Sequence, residues 1–351
     1  MTRSTRASAE FRRAFLAFGP HDGAHRVAIR ASVSTAVPLL ALVAIGHAEW
    51  GAWAAFGAFT SLYGRNRVQL PRLVMQSTAA VVMVAAVGLG SLVATLPAPA
   101  WPMIALGAVF AGLVSIVSDA EDWHPPGPLF ALFAFSGSAS LPGVSLADAG
   151  IATVVATASA AFSVLIGSIG TAWRRARRLP ALESLPVARS YRLSPGRRVQ
   201  LRRVARYALS VALAGSIATA LGIGHPYWAM VSAVVPVSTG TFAAGLARGT
   251  HRILGTSLGV VLAAALLALR PSDVVVVLLI AAVAFGTELL VGRNYGVAMV
   301  FVTPLALLAV HLSSPVPVDR LLVDRLVESI VGALVGIAVG FATRRWDRRR
   351  A

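Results

Sequence analysis

Apolar residues fall along this chain in long blocks separated by short polar stretches. Twelve blocks stand out, at roughly 31–47, 50–64, 73–96, 101–118, 127–144 and 148–172, then 205–223, 226–244, 252–269, 273–292, 295–312 and 324–343. A membrane-crossing helix needs about 20 mostly apolar residues, so most blocks predict spanning α-helices; the second and fifth are short. The polar/apolar alternation of a membrane β-barrel is absent. The pattern predicts an all-α polytopic membrane protein of about twelve transmembrane helices.

The only long polar interior segment, 173–206, separates two apolar halves. It defines an N-terminal unit at 1–172, a basic linker at 173–206 and a C-terminal unit at 207–351. The halves share spaced residues. Gly46-His47-x-x-Trp50 recurs as Gly224-His225-x-x-Trp228, Arg72 and Ser77 recur as Arg252 and Ser257, and Asp148 recurs as Asp324 at the start of each last block. Six blocks per half give both halves one orientation, which implies two parallel six-helix repeats about an axis along the membrane normal.

Composition sharpens this. Hydrophobic residues make up 57% and charged residues 13%, against the roughly 25% charged share of soluble domains. A soluble enzyme is excluded on that ground, and so is intrinsic disorder. Yet the formal net charge is +17, all 31 basic residues being arginine. With a cytoplasmic N-terminus, 28 of those arginines fall on cytoplasmic segments and three, Arg270, Arg320 and Arg325, on the other side. Positive charge marks the cytoplasmic face, so the split predicts a bacterial inner-membrane protein with both termini inside. The arginine-rich first 30 residues show no cleavable leader, and the first apolar block is expected to serve as its own insertion signal. There is no cysteine, hence no disulfide, thiolate metal site or cysteine nucleophile.

The segments HPYWAMVSAVVPV (225–237), ARGTHRILGTSLGVVL (247–262), GRNYGVAMVFVTPLALL (292–308) and DRLVESIVGALVGIAVG (324–340) resemble the fusaric acid resistance-like (FUSC) membrane domain. The first half resembles it more weakly, through HAEWGAWAAFGAFTSLYGRNR. That family is similar to aromatic acid exporters and, more distantly, to the plant aluminium-activated malate transporters. The resemblance implies a secondary exporter of organic anions, aromatic carboxylates among them. A passive organic-anion channel and a non-transporting membrane scaffold are the alternatives.

Candidate residues follow from position. Arg72 and Arg252 fall at the start of the third block of each half, at the cytoplasmic mouth. A cation there opposes the helix dipole and needs a partner, either an anionic substrate also held by free backbone N–H groups or a lipid phosphate. Thr60, Ser61 and Tyr63, and in the second half Ser238, Thr239 and Thr241, form polar clusters, the second just after Pro236. Interrupted helices near a repeat interface form transporter sites; the same features also serve interhelical hydrogen bonding around a proline kink. Trp50, Trp53, Tyr227 and Trp228 offer faces for an aromatic acid, or an interfacial belt, which their place at the outer ends favours.

Glu288 lies inside the tenth block. Intramembrane acids are costly and often functional, so it is a candidate proton carrier, or the partner of Arg293 or another arginine. Glu328, one turn from Asp324 and three residues from Arg325, is expected in a local ion pair. Small residues at four-residue spacing (Gly332, Gly336 and Gly340; Gly255 and Gly259; Ser159, Ser163 and Gly167) suit close helix packing, with the last spans of the two halves as the expected central interface. Asp119, Glu121, Asp122 and His124 form an acidic loop with three readings: solvated, in contact with the linker, or holding a cation. No P-loop, H-E-x-x-H or nucleophile elbow is present, and no nucleic-acid-binding module. The expected partners are a small organic anion and anionic lipid, the latter attracted by the linker, with no cofactor and no enzymatic activity. The assembly is a monomeric pseudo-dimer or a homo-oligomer.

Overall fold

A computed structural model of the protein describes residues 3–65, 70–177, 196–314 and 316–344. Among the described residues there are thirteen α-helices and no strand. In chain order they are α1 (Arg3–Leu16), α2 (Ala24–Ala44), α3 (Gly51–Ala58), α4 (Leu70–Ala94), α5 (Ala100–Ala120), α6 (Leu129–Ala139), α7 (Leu146–Ala176), α8 (Arg197–Ala220), α9 (Tyr227–Val237), α10 (Phe242–Ala268), α11 (Asp273–Leu290), α12 (Tyr295–Ser313) and α13 (Val318–Thr343). The middle of the basic linker, 178–195, lies outside the described residues, as do Arg67 and the basic C-terminal tail from residue 345.

Each apolar block is occupied by a helix of α2 to α13, but not by twelve full spans. Among the described residues, eight helices are long and apolar enough to cross a membrane: α2, α4, α5, α7 and α10 to α13. α8 has the length but starts on a run of arginines. α6 and α9 have 11 residues each and α3 has eight. At 1.5 Å per residue, 11 residues reach about 16 Å, half of a hydrocarbon core of about 30 Å. The eighth block reads as one continuous span at 226–244 and is in fact two elements. α9 stops at Val237, and Thr241 caps α10 by accepting a hydrogen bond from the Ala244 N–H at 3.2 Å. A side-chain oxygen in that position satisfies one of the free amides of a new helix.

The short helices form the interior. Every residue of α3 and of α9 is buried. Such helices have no polar face and need enclosure on all sides. The long helices supply it, and turn apolar side chains outward: Val81, Val154, Leu258 and Val261 are 62–70% exposed. An apolar outer surface of this kind suits lipid, not water.

Hydrogen bonds sort the chain connections into two ends. At one end, which also carries α1, Gly19 bonds Arg293, Arg65 bonds the Glu288 carbonyl, Gly64 bonds the His124 carbonyl, Arg203 pairs with Asp119 and Arg206 bonds the Thr343 carbonyl. At the other end Ala52 N–H donates to Ser313 Oγ and His225 N–H to Glu328 Oε1. Each bond joins segments that the sequence pattern puts on one side of a membrane. The Arg203–Asp119 pair ties the acidic loop to the linker region, one of its three readings, in place of a fully solvated loop. No metal-holding group of three ligand residues occurs among the described residues.

Packing follows a matched scheme. α4 packs on α6 and α7, as α10 does on α12 and α13; α3 packs on α7, as α9 does on α13; α5 packs on α8, as α11 does on α2. The last spans, α7 and α13, share no substantial contact among the described residues, so they are not the central interface expected from their small-residue stripes. Those stripes instead seat the short helices. A Cβ on Gly332 would stand 2.2 Å from the Ala229 carbonyl, and one on Gly336 2.4 Å from the Ala233 carbonyl. Ser159 Oγ donates to the Ala54 carbonyl of α3.

Candidate functional site: a buried arginine pair

The turn before α9 brings the second half's ionisable residues together. Gly224 lacks the side chain that would block the Asp324 carboxylate, since a Cβ there would stand 2.5 Å from Oδ2. Asp324 therefore reaches His225, with Oδ2 at 2.9 Å from Nδ1, while the His225 backbone N–H donates to Glu328 Oε1 at 2.7 Å. The His225 ring stacks on Trp228 with centroids 4.9 Å apart, and the Tyr227 and Trp228 rings lie 5.1 Å apart.

Beneath this turn lie two buried guanidiniums. Arg325 of α13 is 1% exposed, its guanidinium 5.1 Å from the centre of the Trp228 ring, and its Nε has no hydrogen-bond partner among the described residues. Arg252 of α10 is 3% exposed; its Nε donates to Ser232 Oγ at 3.2 Å and its Nη1 points to Met299 Sδ at 3.6 Å. Arg325 lies within electrostatic reach of Arg252, Tyr227, Glu328 and Tyr295. Neither arginine makes an ion pair among the described residues. An arginine does not shed its proton to escape burial, and a buried charge is costly unless paired. Two such cations, beside aromatic faces and a hydroxyl, form an arrangement that favours an anion.

The expected site residues divide among three places. Trp228 and Arg252 belong to the arginine pair. Arg252 is not at a helix mouth, because α10 starts ten residues earlier, at Phe242, whereas Arg72 is the third residue of α4.

Thr60, Ser61, Tyr63 and Arg72 lie at the α1 end. All three hydroxyls are buried with no hydrogen-bond partner among the described residues. Arg72 is half-buried and turns Nε and Nη1 toward the Gly64 and Gly167 carbonyls at 3.4 and 3.5 Å. Glu288 joins this group: its carboxylate is 3.6 Å from Arg65 Nη1, and its carbonyl accepts from Arg65 Nη2 at 2.8 Å. Its partner is therefore Arg65, while Arg293 packs over Phe18 and donates to the Gly19 carbonyl. Arg30 lies within electrostatic reach of Arg65, Arg72 and Glu288.

Ser238, Thr239 and Thr241 form the third place. Ser238 and Thr239 hydroxyls donate to local carbonyls, and Thr241 is the α10 cap and also donates to Glu10 of α1. Thr239 and Thr241 line an open cleft together with Arg206 and Phe242.

The aromatic expectation is corrected. Trp53, Tyr227 and Trp228 are 5%, 4% and 0% exposed, so they are core residues and not an interfacial belt. The short helices carry them inward. Trp50 alone of the four stays at an end, stacked on His47 at 3.9 Å. There His47 also bonds Glu49, holding that carboxyl below its ordinary range. Glu328, expected in an ion pair with Arg325, makes none among the described residues. Sequence reasoning passed over Arg325 as a surface partner and missed Ser232, Arg30 and Arg65. An arginine one residue inside a spanning block was the available signal.

A chain of long apolar helices around buried short ones is a multi-pass membrane protein. Residues 213–339, a little over a third of the chain, match the family described as fusaric acid resistance protein-like. An uncharacterized membrane protein, YvaC, of Bacillus subtilis (strain 168) is 36% identical over 107 residues, 30% of this chain and 17% of the relative. The aligned region thus spans about a sixth of that relative's length. No solved structure matches.

Proposed function

We propose that the protein is a secondary exporter of organic anions of the inner membrane, with aromatic carboxylates as its substrate class. The observation that carries this reading is the Arg252–Arg325 pair, two buried cations with no ion-pair partner among the described residues. A carboxylate is matched by the planar guanidinium fork, and Tyr227 and Trp228 offer ring faces beside it. The family match of residues 213–339 supports a transport-related role.

The matched packing scheme supports two parallel six-helix repeats at 1–172 and 207–351, related within one chain. In this reading the α1 end is cytoplasmic, because it gathers most of the arginines among the described residues. Arg30, Arg65 and Arg72, with Thr60, Ser61 and Tyr63, would draw an anion in from that side. The Ser238–Thr241 segment and the basic linker would sit at the same face, the linker against anionic lipid.

Uptake of benzoate into inverted membrane vesicles tests the proposal. Accumulation that is lost in Arg252→Gln is the expected result, and no movement with or without a proton gradient overturns it. Ohmic single-channel current in planar bilayers would assign a channel in place of a transporter.

A further inference from the structure

We propose that Glu328 is the tethered counter-anion of the Arg252–Arg325 pair, and that an organic anion enters this site only as Glu328 takes up a proton. The inference rests on the anion site proposed above. It assigns the coupling to a different acid from Glu288, whose carboxylate is engaged by Arg65.

Glu328 is fully enclosed, at 0% exposure, three residues beyond Arg325 on α13. Oε1 accepts the His225 N–H, while Oε2 is buried with no hydrogen-bond partner among the described residues. An unpartnered oxygen on a buried carboxylate is a place for a proton. The route to it is short. His225 and Asp324, in contact at 2.9 Å, have side chains 16% and 11% exposed, so this pair joins Glu328 to solvent at the end opposite α1.

Charged and titratable groups face this site from every neighbouring element. α13 supplies Asp324, Arg325 and, beside Asp324 at Gly224, Arg320; the α8–α9 turn supplies His225, and α9 supplies Tyr227. α10 supplies Arg252 and α12 supplies Tyr295, both within reach of Arg325. The arginines of α8 lie at the far end, where Arg206 bonds the Thr343 carbonyl. The two enclosed guanidiniums are thus balanced by the two carboxylates, although neither carboxylate touches them closely; Arg320 is exposed, and solvent screens its charge.

Adding a substrate anion to this neutral set would leave an uncompensated negative charge in a low-dielectric interior. One proton from solvent, bound at Oε2, restores the balance, and it returns to solvent when the anion leaves. No bond other than that O–H forms or breaks. Anion binding and proton binding are then positively linked, each strengthening the other by the same factor.

Calorimetry with benzoate as the probe tests this on the full chain in detergent. Titrations in two buffers of different ionisation enthalpy count the protons taken up. The wild type is expected to take up a number rising toward about one per benzoate as pH rises, its affinity weakening about tenfold per pH unit at the alkaline end. Glu328→Gln keeps an acceptor for the His225 N–H, and it is expected to bind benzoate with no proton uptake and a flat pH profile. Asp148→Asn, an exposed acid at the same end bonded to Ser145, should keep the wild-type uptake. Benzoate binding by the wild type without proton uptake overturns the linkage and leaves the anion site standing, as does unchanged uptake in Glu328→Gln. Failure of both proteins to bind benzoate at any pH overturns the anion site and this inference together. The wild-type measurement decides the question even if the variant does not fold.

Discussion

Arg252 is held by a serine hydroxyl and a methionine sulfur and by no carboxylate among the described residues. A residue kept for folding would have a better partner. Replacing a buried charge by an apolar side chain of similar length is often neutral or stabilising, because the desolvation cost disappears. Arg252→Met is therefore expected to leave the thermal unfolding midpoint in detergent unchanged or raised while weakening benzoate binding at least tenfold, roughly the loss of one charge-assisted hydrogen bond. A lowered midpoint with binding intact would make Arg252 a structural residue. The sequence identified Arg252 and Trp228 as candidates but set both at surfaces. Depth was not legible, because it depends on where α10 begins, and Thr241 decides that through a single cap. Glu328 was visible as an acid within the last block but was expected in a local ion pair; its link to His225 needs the Gly224 turn, which brings together residues 103 apart in sequence.

The short helices depend on glycine for their fit. α13 lies so close to α9 that two of its glycines stand over α9 carbonyls. Gly332→Ala and Gly336→Ala must push the helices apart, and overpacking of this kind costs about 1–3 kcal/mol. Gly340 continues the same stripe, but its nearest neighbour would be 3.9 Å from an added Cβ. Gly340→Ala is expected to be neutral or to stabilise by up to about 1 kcal/mol through helix propensity. Thermal unfolding of the three variants in detergent checks the contrast. Equal destabilisation by all three would show that the stripe acts as a whole and that the close approach at Gly332 and Gly336 is not the cause. Periodicity predicted the stripe and its close-packing role, but not its partner. A pattern of small residues says that something comes close; only the packing of α9, hydrophobic on every face, says what.

At the scale of the molecule, the apolar blocks foretold where helices lie, yet helix length leaves α6 and α9 too short to span alone. The hydrogen bonds that join connections at each end imply that the chain nevertheless changes side across both. The protein contains no cysteine, so single cysteines can report this without further engineering. Glu121 and Ala147 flank α6, Leu221 and Gly240 flank α9, and all four are exposed. In intact cells a membrane-impermeant maleimide is expected to label Ala147→Cys and Leu221→Cys, and to reach Glu121→Cys and Gly240→Cys only after permeabilisation. Equal labelling on both sides of either short helix would mean that it re-enters without crossing. The helices after it would then be inverted, and the arginine-rich segments could no longer share one face. The proposed cytoplasmic inlet at Arg30, Arg65 and Arg72, and the proposed access of His225 and Asp324 to the opposite solvent, both require the crossing. Sidedness of these four positions therefore tests the transport path as well as the topology.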